Sequence, residues 1–494
     1  MNLWQGLAPS QLIVLAVLVP FVGALLVAAT GKKPNLREAV TLVTAVTLFT
    51  VVMGITDLTL QGTPISLHII DIFPGLSIQF DVEPLGVLFA LVASFLWIVT
   101  SVYAVGYMRG NNEGNQTRFF FCFAFSISSV MAICFSGNLL TLFVFYEVLT
   151  LATYPLVTHA GNDAAKQGGR TYLGILLSTS ICFLLFAIVG TYSLTGTLEF
   201  KPGGVFDDTH NKAIMGLLLV LFSFGIGKAA LMPFHRWLPA AMVAPTPVSA
   251  LLHAVAVVKA GVFSILKVAV YVFGIDGLSE LTATDFVLYM AAATMVIASI
   301  IALTKDNLKA RLAYSTVAQL SYIVLGAMLA TTAGAIGGAM HIATHAFGKI
   351  TLFFVAGAIY TTAHKKLVSE LDGIGKRMPL TMAAFTIGAI SMIGLPPAAG
   401  FISKWYLLLG ALDVGQWVAV IALVLSTLLN AAYFIPIIYA AYFKQEKAGH
   451  HDTHGEASLP ILIPLLITAA MTLLVFFNPD LPLALAKQML EVSP

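Results

Sequence analysis

The sequence predicts an all-α integral membrane protein with about fourteen transmembrane helices. Of its 494 residues, 59% are hydrophobic and 10% are charged, and the mean hydropathy is +0.93. Soluble domains carry about 25% charged residues, so this composition excludes a soluble fold. Apolar runs long enough to cross about 30 Å of hydrocarbon recur along the whole chain, which indicates many spans rather than a single anchor.

Each predicted helix is an apolar run long enough to span the bilayer. In chain order we expect helices at 11–29, 37–60, 85–107, 118–136, 138–158, 169–195, 212–241, 246–274, 284–304, 308–330, 335–363, 378–408, 414–443 and 458–478. The seventh and twelfth runs contain prolines, which remove backbone donors and clash with the preceding turn. We therefore expect helices 7 and 12 to be interrupted.

The basic residues indicate the orientation of the chain. MNLWQGLAPSQ contains no Lys or Arg, whereas a cleaved signal peptide begins with them, so we expect a retained first helix with its N-terminus outside. With that orientation, seventeen of the 25 Lys and Arg residues fall in inner loops. The outer loops contain Lys201, Lys212 and Lys487. The positive-inside rule therefore favours fourteen spans with both termini outside.

Ionisable residues inside the predicted helices are the first candidates for function. A charge at mid-bilayer costs about 2.5 to 3.5 kcal/mol, yet the predicted helices contain Lys228, Lys259, Lys267, Lys349 and Lys404. Glu147 is the acid that we expect to lie among them. A row of groups that gain and lose protons is what proton conduction requires. For Lys267 we leave two interpretations open, an exit group and an anchor that snorkels to the outer surface.

Histidines extend this row. In HIATHAFGK, His341, His345 and Lys349 follow one another at i, i+4 steps along one face of a helix. An imidazole both donates and accepts, so we expect a proton relay; a structural pair remains an alternative, and a zinc site is disfavoured because HExxH is absent. His253 precedes Lys259 by six residues, so only a distorted helix or bridging water aligns the two.

The two interrupted helices suggest an internal repeat. Pro233 follows Lys228 by five residues, and a cluster precedes Lys404 that consists of Gly394, Pro396, Pro397 and Gly400. Broken helices at corresponding places are typical of inverted-repeat transporters, although packing kinks are the alternative. We expect helices 1–3 in residues 1–110, one repeat of helices 4–8 in 111–275, a second of helices 9–13 in 276–445, and a cytoplasmic loop with helix 14 in 446–494.

Other site types are disfavoured. The cysteines Cys122, Cys134 and Cys182 make no CxxC or CxxH spacing, so we expect no iron–sulfur cluster, structural zinc or disulfide framework. The formal charge of +2 comes without a basic block, so we expect no nucleic-acid partner. The loop sequence HHDTH could hold a metal, but solvated side chains are the more common role; its histidines are His450, His451 and His454.

Four segments resemble one family. They are FYEVLTLATYPLV around Glu147, PFHRWLPAAMVAPTPVSALLHAVAVVKAG (233–261), DNLKARLAYSTVAQLSY (306–322) and HIATHAFGK. Together they are similar to the antiporter-like, proton-translocating subunits of respiratory complex I, membrane-bound hydrogenases and Mrp-type cation/proton antiporters. The resemblance covers nearly the whole chain and implies a fourteen-helix fold with two inverted five-helix units and no cofactor in this subunit.

The resemblance also implies roles for residues. Glu147 matches the family's helix 5 glutamate, Lys228 the lysine paired with it on helix 7, Lys259 the central lysine of helix 8, and Lys404 the terminal residue on helix 12. The relay positions are matched by His253, His341, His345 and Lys349. We expect Glu147 to act as a switch that holds Lys228 charged when the two are close.

Within the family, GLPPAAGFISKWYLLLGAL resembles the MrpD component of Mrp-type sodium/proton antiporters. Lys404 stands where one complex I subunit carries a glutamate, which argues against that subunit. The resemblance implies a bacterial inner-membrane location, other hydrophobic subunits as partners, and protons and Na⁺ as transported ions. A proton-pumping subunit of a complex I or hydrogenase-type machine is the alternative, and a solute carrier acting alone is disfavoured.

Overall fold

The protein is a bundle of long helices. The computed structural model describes residues 6–73, 75–446 and 455–491, so His450, His451 and His454 lie outside the described residues. In chain order the helices are α1 (Pro9–Ala29), α2 (Pro34–Leu60), α3 (Pro84–Gly110), α4 (Gln116–Cys134), α5 (Leu139–Val157), α6 (Asp163–Thr195), α7a (Lys212–Gly225), α7b (Trp237–Ala240), α8 (Thr246–Phe273), α9 (Thr282–Thr304), α10 (Leu308–Met328), α11 (Thr332–Ala363), α12a (Pro379–Ile393), α12b (Gly400–Asp413), α13 (Trp417–Phe443), α14 (Leu459–Phe477) and α15 (Asp480–Gln488).

The number of crossings agrees with the sequence. Within the described residues, 11 helices are long and apolar enough to cross a membrane by themselves. Three further crossings complete the set: α10, whose 21 residues are more polar, and the two interrupted segments that contain α7a and α12a. The predicted breaks in helices 7 and 12 are confirmed, at 226–236 and at 394–399.

The structure contains a β-hairpin between α2 and α3 that the sequence analysis did not predict. β1 (Ser66–Phe73) pairs with β2 (Leu76–Asp81) antiparallel, with Ser66 opposite Asp81. The backbone N–H of Asp81 donates to the carbonyl of Phe135 (2.8 Å), so β2 also pairs with the turn between α4 and α5. The hairpin is fixed by this contact, which joins residues far apart in sequence.

The connections form two groups at opposite ends of the bundle. At one end, Arg37 donates to Thr117 (3.1 Å) and Ser369 donates to Asp306 (2.8 Å). We call this end the basic face; it consists of residues 30–33, 111–115, 158–162, 305–307 and 364–378.

At the other end, Asn138 donates to the carbonyl of Ser77 (2.8 Å) and the N–H of Lys201 donates to the carbonyl of Tyr271 (3.1 Å). We call this end the hairpin face; it includes residues 61–83, 135–138, 196–211 and 274–281. Connections that alternate between the two faces are what fourteen crossings require.

Two helices form the centre of the bundle. The most apolar stretches of α8 and α11 are 100% buried, whereas those of α1 and α13 are 39% buried. Side chains on the outer helices are correspondingly exposed and apolar, as a lipid-facing surface requires. The helices that carry the predicted histidines and most of the predicted lysines are therefore the ones farthest from lipid.

The topology is testable with single cysteines. In a background that lacks Cys122, Cys134 and Cys182, Asp71→Cys and Lys376→Cys place one exposed thiol on the hairpin face and one on the basic face. A membrane-impermeant thiol reagent should label the Asp71→Cys variant from outside the cell and the Lys376→Cys variant from the cytoplasm, since basic loops remain inside. Labelling of both from one side would contradict the helix count.

Candidate functional site

The centre of the site is a contact between α8 and α11. Lys259 Nζ lies 2.6 Å from His345 Nδ1, and both residues are 0% exposed. At this distance one nitrogen donates and the other accepts, so the pair exists as ammonium with neutral imidazole or as amine with a protonated ring nitrogen. Movement of one proton interconverts the two forms. The structure therefore brings two residues of the predicted relay into direct contact.

His341 lies one turn before His345 with both ring nitrogens occupied. Nδ1 is 2.8 Å from Ser403 Oγ and Nε2 is 3.0 Å from Gln319 Oε1. An amide oxygen only accepts, so Nε2 carries a hydrogen, and in the neutral ring Nδ1 accepts from the Ser403 hydroxyl. The two imidazole rings are 5.8 Å apart and stacked, and they contact each other without a direct hydrogen bond.

Lys349 completes the predicted stripe on α11. Its ammonium donates to Ser315 Oγ (2.8 Å), which also accepts from Tyr433 Oη (2.9 Å). Phe434 lies beneath it, with the ring centroid 5.9 Å from Nζ. The partners of this buried lysine are neutral, so its charge is held by dipoles rather than by a carboxylate.

Lys404 donates hydrogen bonds to the backbone carbonyls that the break in helix 12 leaves free. The chain leaves α12a at Gly394, whose φ of +91° suits glycine, and the last carbonyls of α12a lose their helical donors. Lys404 Nζ donates to the carbonyls of Met392 (2.8 Å) and Ile393 (3.0 Å) and to Tyr322 Oη (3.3 Å). A cation at the C-terminal end of a helix is also favoured by the helix dipole.

Lys228 occupies the corresponding position in the break of helix 7. Its Nζ donates to the carbonyl of Tyr146 (2.7 Å) and to Thr150 Oγ1 (2.6 Å). The same ammonium lies 3.1 Å from the centroid of the Tyr146 ring. Gly261 on α8 allows this arrangement, because a Cβ there would lie 2.3 Å from the backbone carbon of Lys228.

Glu147 does not make the expected ion pair with Lys228 in this structure. Both carboxylate oxygens are buried and have no hydrogen-bond partner among the described residues. Tyr146 faces Lys228, and the next residue along α5 points about 100° away, on the side of Val144 and Leu151, which are 38% and 57% exposed. The carboxylate is therefore buried without an ion-pair partner among the described residues, and Lys228 is held by other groups of α5.

His253 lies in a distorted part of α8. Residues Leu251–Val255 form a π-helical turn, so the ideal helical geometry between His253 and Lys259 does not hold. The ring packs against Phe353 at 4.7 Å, and neither ring nitrogen has a hydrogen-bond partner within the described chain. The helix is thus distorted at His253, as the sequence analysis required, but His253 makes no direct hydrogen bond to Lys259 within the described residues.

Lys267 is not a snorkelling anchor. It is 0% exposed, pairs with Glu83 Oε2 (3.0 Å) and donates to the carbonyl of Ser136 (2.6 Å). Burial raises the pKa of Glu83, and the ammonium of Lys267 opposes that rise. The snorkelling interpretation is wrong because the acid at the start of α3, distant in sequence, provides a buried partner.

Several partners of the site residues escaped the sequence analysis. Ser315, Gln319 and Tyr322 on α10 contact Lys349, His341 and Lys404 respectively. Their spacing of four and three places them on one face of a helix, which is the signal in the sequence that could have found them. In the ranges that the structure describes, no group of three or more His, Cys, Asp or Glu side chains suits a metal ion.

A membrane bundle whose two innermost helices carry buried lysines and histidines in contact is the architecture of a proton-conducting transporter subunit. The chain matches the family model described as NADH:quinone oxidoreductase/Mrp antiporter, TM, over residues 136–430. It therefore belongs to this family of antiporter-like subunits, as the sequence motifs indicated.

Relatives of this chain include both oxidoreductase subunits and antiporter subunits. NADH-quinone oxidoreductase subunit N of Desulforudis audaxviator is 37% identical over 397 residues, which cover 79% of this chain and 78% of that protein. Antiporter subunit mnhA2 of Staphylococcus haemolyticus is 28% identical over 82% of this chain and 53% of its own length.

Solved structures have the same fold. A chain of the Mrp complex from Dietzia superposes with a TM-score of 0.86 at 23% identity, covering 98% of this chain and 97% of the other. A chain of an archaeal membrane-bound sulfane sulfur reductase superposes with a TM-score of 0.85 at 24% identity and 98% coverage of both. Both are multisubunit membrane complexes by name, and at this identity the likeness concerns the fold alone.

The close contact between α8 and the break in helix 7 predicts that a side chain larger than glycine at residue 261 disrupts the packing. Gly261→Ala should reduce the amount of assembled, active complex severely, because backbone atoms at 2.3 Å leave no room for a methyl group. Gly174→Ala is the matched control, since a Cβ there meets nothing within 4 Å. Native gels and transport assays measure both. Normal assembly and transport in Gly261→Ala would contradict this packing.

Proposed function

We propose that this chain moves protons through the membrane interior along the row of lysines and histidines on α8, α11 and α12b. The observation that carries the proposal is the 2.6 Å contact between Lys259 and His345 in a site with no exposure to solvent. A lysine surrounded by neutral groups loses its proton more readily than one in an ion pair. The pair is therefore suited to passing a proton rather than to holding a charge.

The route continues from His345 to Lys404 through short contacts. His341 stacks on His345 at 5.8 Å and on Tyr322 at 5.3 Å, and Tyr322 accepts from Lys404. Ser403 bonds to His341 and precedes Lys404 in the chain. A proton crosses between the two histidines by ring rotation or through one water molecule, because no hydrogen bond joins them.

Lys228 and Glu147 form the other end of the route. Lys228 is held by a carbonyl and a hydroxyl, so its charge state depends on the distance of the Glu147 carboxylate. A carboxylate close to Lys228 holds the lysine protonated, and one that faces the bundle surface releases it. A neighbouring subunit that contacts α5 would thereby couple its own movement to proton transfer in this chain.

We assign the chain to a multisubunit Mrp-type Na⁺/H⁺ antiporter in a bacterial cell membrane, with other hydrophobic subunits as partners. The resemblance of the helix 12 segment to the MrpD component supports this assignment, as does the similarity to antiporter subunit mnhA2. The second candidate is a non-redox subunit of a proton-pumping oxidoreductase. It is favoured by the 37% identity to an oxidoreductase subunit N.

Purification of the complex after mild solubilisation separates the two assignments. Small hydrophobic partner subunits, with proton transport that requires Na⁺, are expected for the antiporter. Partners with cluster-binding cysteines, with proton transport that requires an electron donor, would replace this assignment with the oxidoreductase. In either complex the proton route through this chain is the same.

The central link of the route is tested by Lys259→Ala. We expect transport to stop while the complex still assembles, because the variant removes the proton donor of His345 and also removes a buried charge that is costly to keep. Lys201→Ala, an exposed lysine on the hairpin face, is the control. Transport per assembled complex in membrane vesicles is the measurement, and wild-type transport in Lys259→Ala would refute the route.

The Glu147 switch is tested by single and double variants. Glu147→Ala, Lys228→Ala and the combination should all assemble and fail to transport, because the titrating group or the group that controls it is gone. Glu147→Asp should retain partial activity, since the carboxylate survives on a shorter side chain. An active double variant would instead indicate a structural charge pair, whose loss on both sides is close to neutral.

A further inference from the structure

The carbonyl of Met392, at the break in helix 12, has hydrogen-bond donors from three helices. Lys404 Nζ lies 2.8 Å from this oxygen, Asn430 Nδ2 3.1 Å and Gln319 Nε2 3.2 Å. A carbonyl oxygen has two lone pairs, so the three donors compete for it. Asn430 lies on α13 and is 0% exposed. If its amide holds the carbonyl more firmly, Lys404 therefore holds it less firmly.

The same carbonyl fixes the orientation of the Asn430 side chain. Because a carbonyl only accepts, the amide nitrogen of Asn430 faces Met392, and the amide oxygen faces Tyr433. Tyr433 Oη lies within hydrogen-bonding distance of that oxygen, on the next turn of α13. Tyr322, whose Oη accepts from Lys404, also makes a side-chain hydrogen bond with Asn430. Asn430 thus contacts two of the groups that bind Lys404.

Tyr433 connects this amide to Lys349. Its hydroxyl lies 2.9 Å from Ser315 Oγ as well as beside the Asn430 oxygen. Ser315 Oγ is in turn the acceptor of Lys349 (2.8 Å). Ser315 and Tyr433 are both 0% exposed. A phenol carries one hydrogen, so Tyr433 donates either to Ser315 or to Asn430, and the two hydrogen bonds exclude each other.

The charge of Lys349 selects between these two arrangements. An ammonium donates and has no lone pair, so Ser315 accepts from it and gives its own hydrogen to Tyr433, which then donates to Asn430. A neutral amine has a lone pair, so Ser315 donates to it and accepts from Tyr433. The amide oxygen of Asn430 then loses this donor. The hydroxyl groups only rotate between the two arrangements, and no covalent bond changes.

We propose that a hydrogen-bonded link through α13 makes Lys404 a better proton acceptor once Lys349 has released its proton. We call it the hydroxyl–amide link; it consists of Ser315, Tyr433 and Asn430. While Lys349 is charged, the anchored amide competes with Lys404 for the carbonyl of Met392. Once Lys349 is neutral, the amide loses its anchor and the carbonyl becomes available to an ammonium at Lys404. This inference rests on the proposed function and adds α13, which supplies none of the titrating groups of the route.

The three residues of the link are positioning residues, and the charges around Lys349 are all basic. The groups that interact with it electrostatically are Lys259 and His253 on α8, His341 and His345 on α11, and Lys404 on α12b. Arg311 on α10 lies beside the link and donates to the carbonyl of Tyr433 (3.1 Å). Repulsion among these groups does not depend on a neutral hydroxyl, so removal of a hydroxyl separates the link from repulsion.

The link is tested by Tyr433→Phe, which removes one hydroxyl and keeps the ring. The variant should assemble, and the alkaline limb of its transport profile should move to lower pH by about one unit, the equivalent of one hydrogen bond. The reason is that the Ser315 hydrogen loses its acceptor while Lys349 is charged, whereas the neutral amine still accepts it. Initial transport rates per assembled complex, measured in vesicles across a pH series, give the profile.

Asn430→Ala tests the far end of the link. Asn430 does not contact Lys349 within the described residues, yet its loss removes the acceptor of Tyr433 and should shift the same limb in the same direction. This variant decides the question if Tyr433→Phe assembles poorly. Tyr103→Phe is the matched control, because its buried hydroxyl donates to the carbonyl of Phe354 (3.0 Å) and lies outside the route. Its profile should equal that of the wild type.

Combination with Ser315→Ala distinguishes a link from independent packing effects. Ser315→Ala disconnects Tyr433 from Lys349, so adding Tyr433→Phe to it should produce no further shift. Shifts that add in the double variant would overturn the link, because residues that act separately contribute separately.

These outcomes separate the link from the proposed function. If Lys259→Ala abolishes transport while Tyr433→Phe and Asn430→Ala keep the wild-type pH profile, the link is refuted and the relay stands. Full transport in Lys259→Ala refutes the relay itself, whatever the profile of Tyr433→Phe.

Discussion

A lysine buried in a lipid-surrounded bundle must find its acceptors within the protein, and the rest of this structure depends on how it does so. Lys267 obtains a carboxylate from Glu83. Lys349 has a hydroxyl, Lys404 has two carbonyls and a phenol, and Lys259 has an imidazole. The partners of Lys349, Lys404 and Lys259 are all neutral. These three lysines can therefore release a proton without leaving an unpaired carboxylate behind. The chemistry of the site follows from that choice of partners.

The breaks in helices 7 and 12 lie beside buried lysines, which can donate hydrogen bonds to backbone carbonyls. A break in a membrane helix frees carbonyls that lipid cannot satisfy, and a buried ammonium needs acceptors. Lys404 meets the carbonyls freed in helix 12. Lys228, in the break of helix 7, instead meets a carbonyl and a hydroxyl of α5. The two lysines therefore differ in their partners: Lys404 meets carbonyls of its own interrupted helix, whereas Lys228 meets groups of a neighbouring helix.

Glu147 lies on α5 between the buried Lys228 and the surface on which a neighbouring subunit would pack. Its carboxylate is buried beside exposed apolar side chains of α5, so a neighbouring subunit packed on that surface would change its surroundings directly. A carboxylate acts on a buried ammonium through space, and the strength of that interaction falls with distance. A small movement at the surface thus reaches a charge in the interior without a continuous chain of hydrogen bonds.

The sequence by itself determined the number of crossings, the two breaks and the identity of the ionisable residues, because hydropathy, proline and helical spacing are local properties. It also carried the motifs that place the chain in its family. Only the tertiary structure decided that His345 meets Lys259, that Lys267 pairs with Glu83, that Glu147 makes no ion pair with Lys228 among the described residues, and that a hairpin forms against the turn at Phe135. Each of these contacts joins segments distant in the chain, and which side of a helix meets which neighbour is set by packing of the whole bundle.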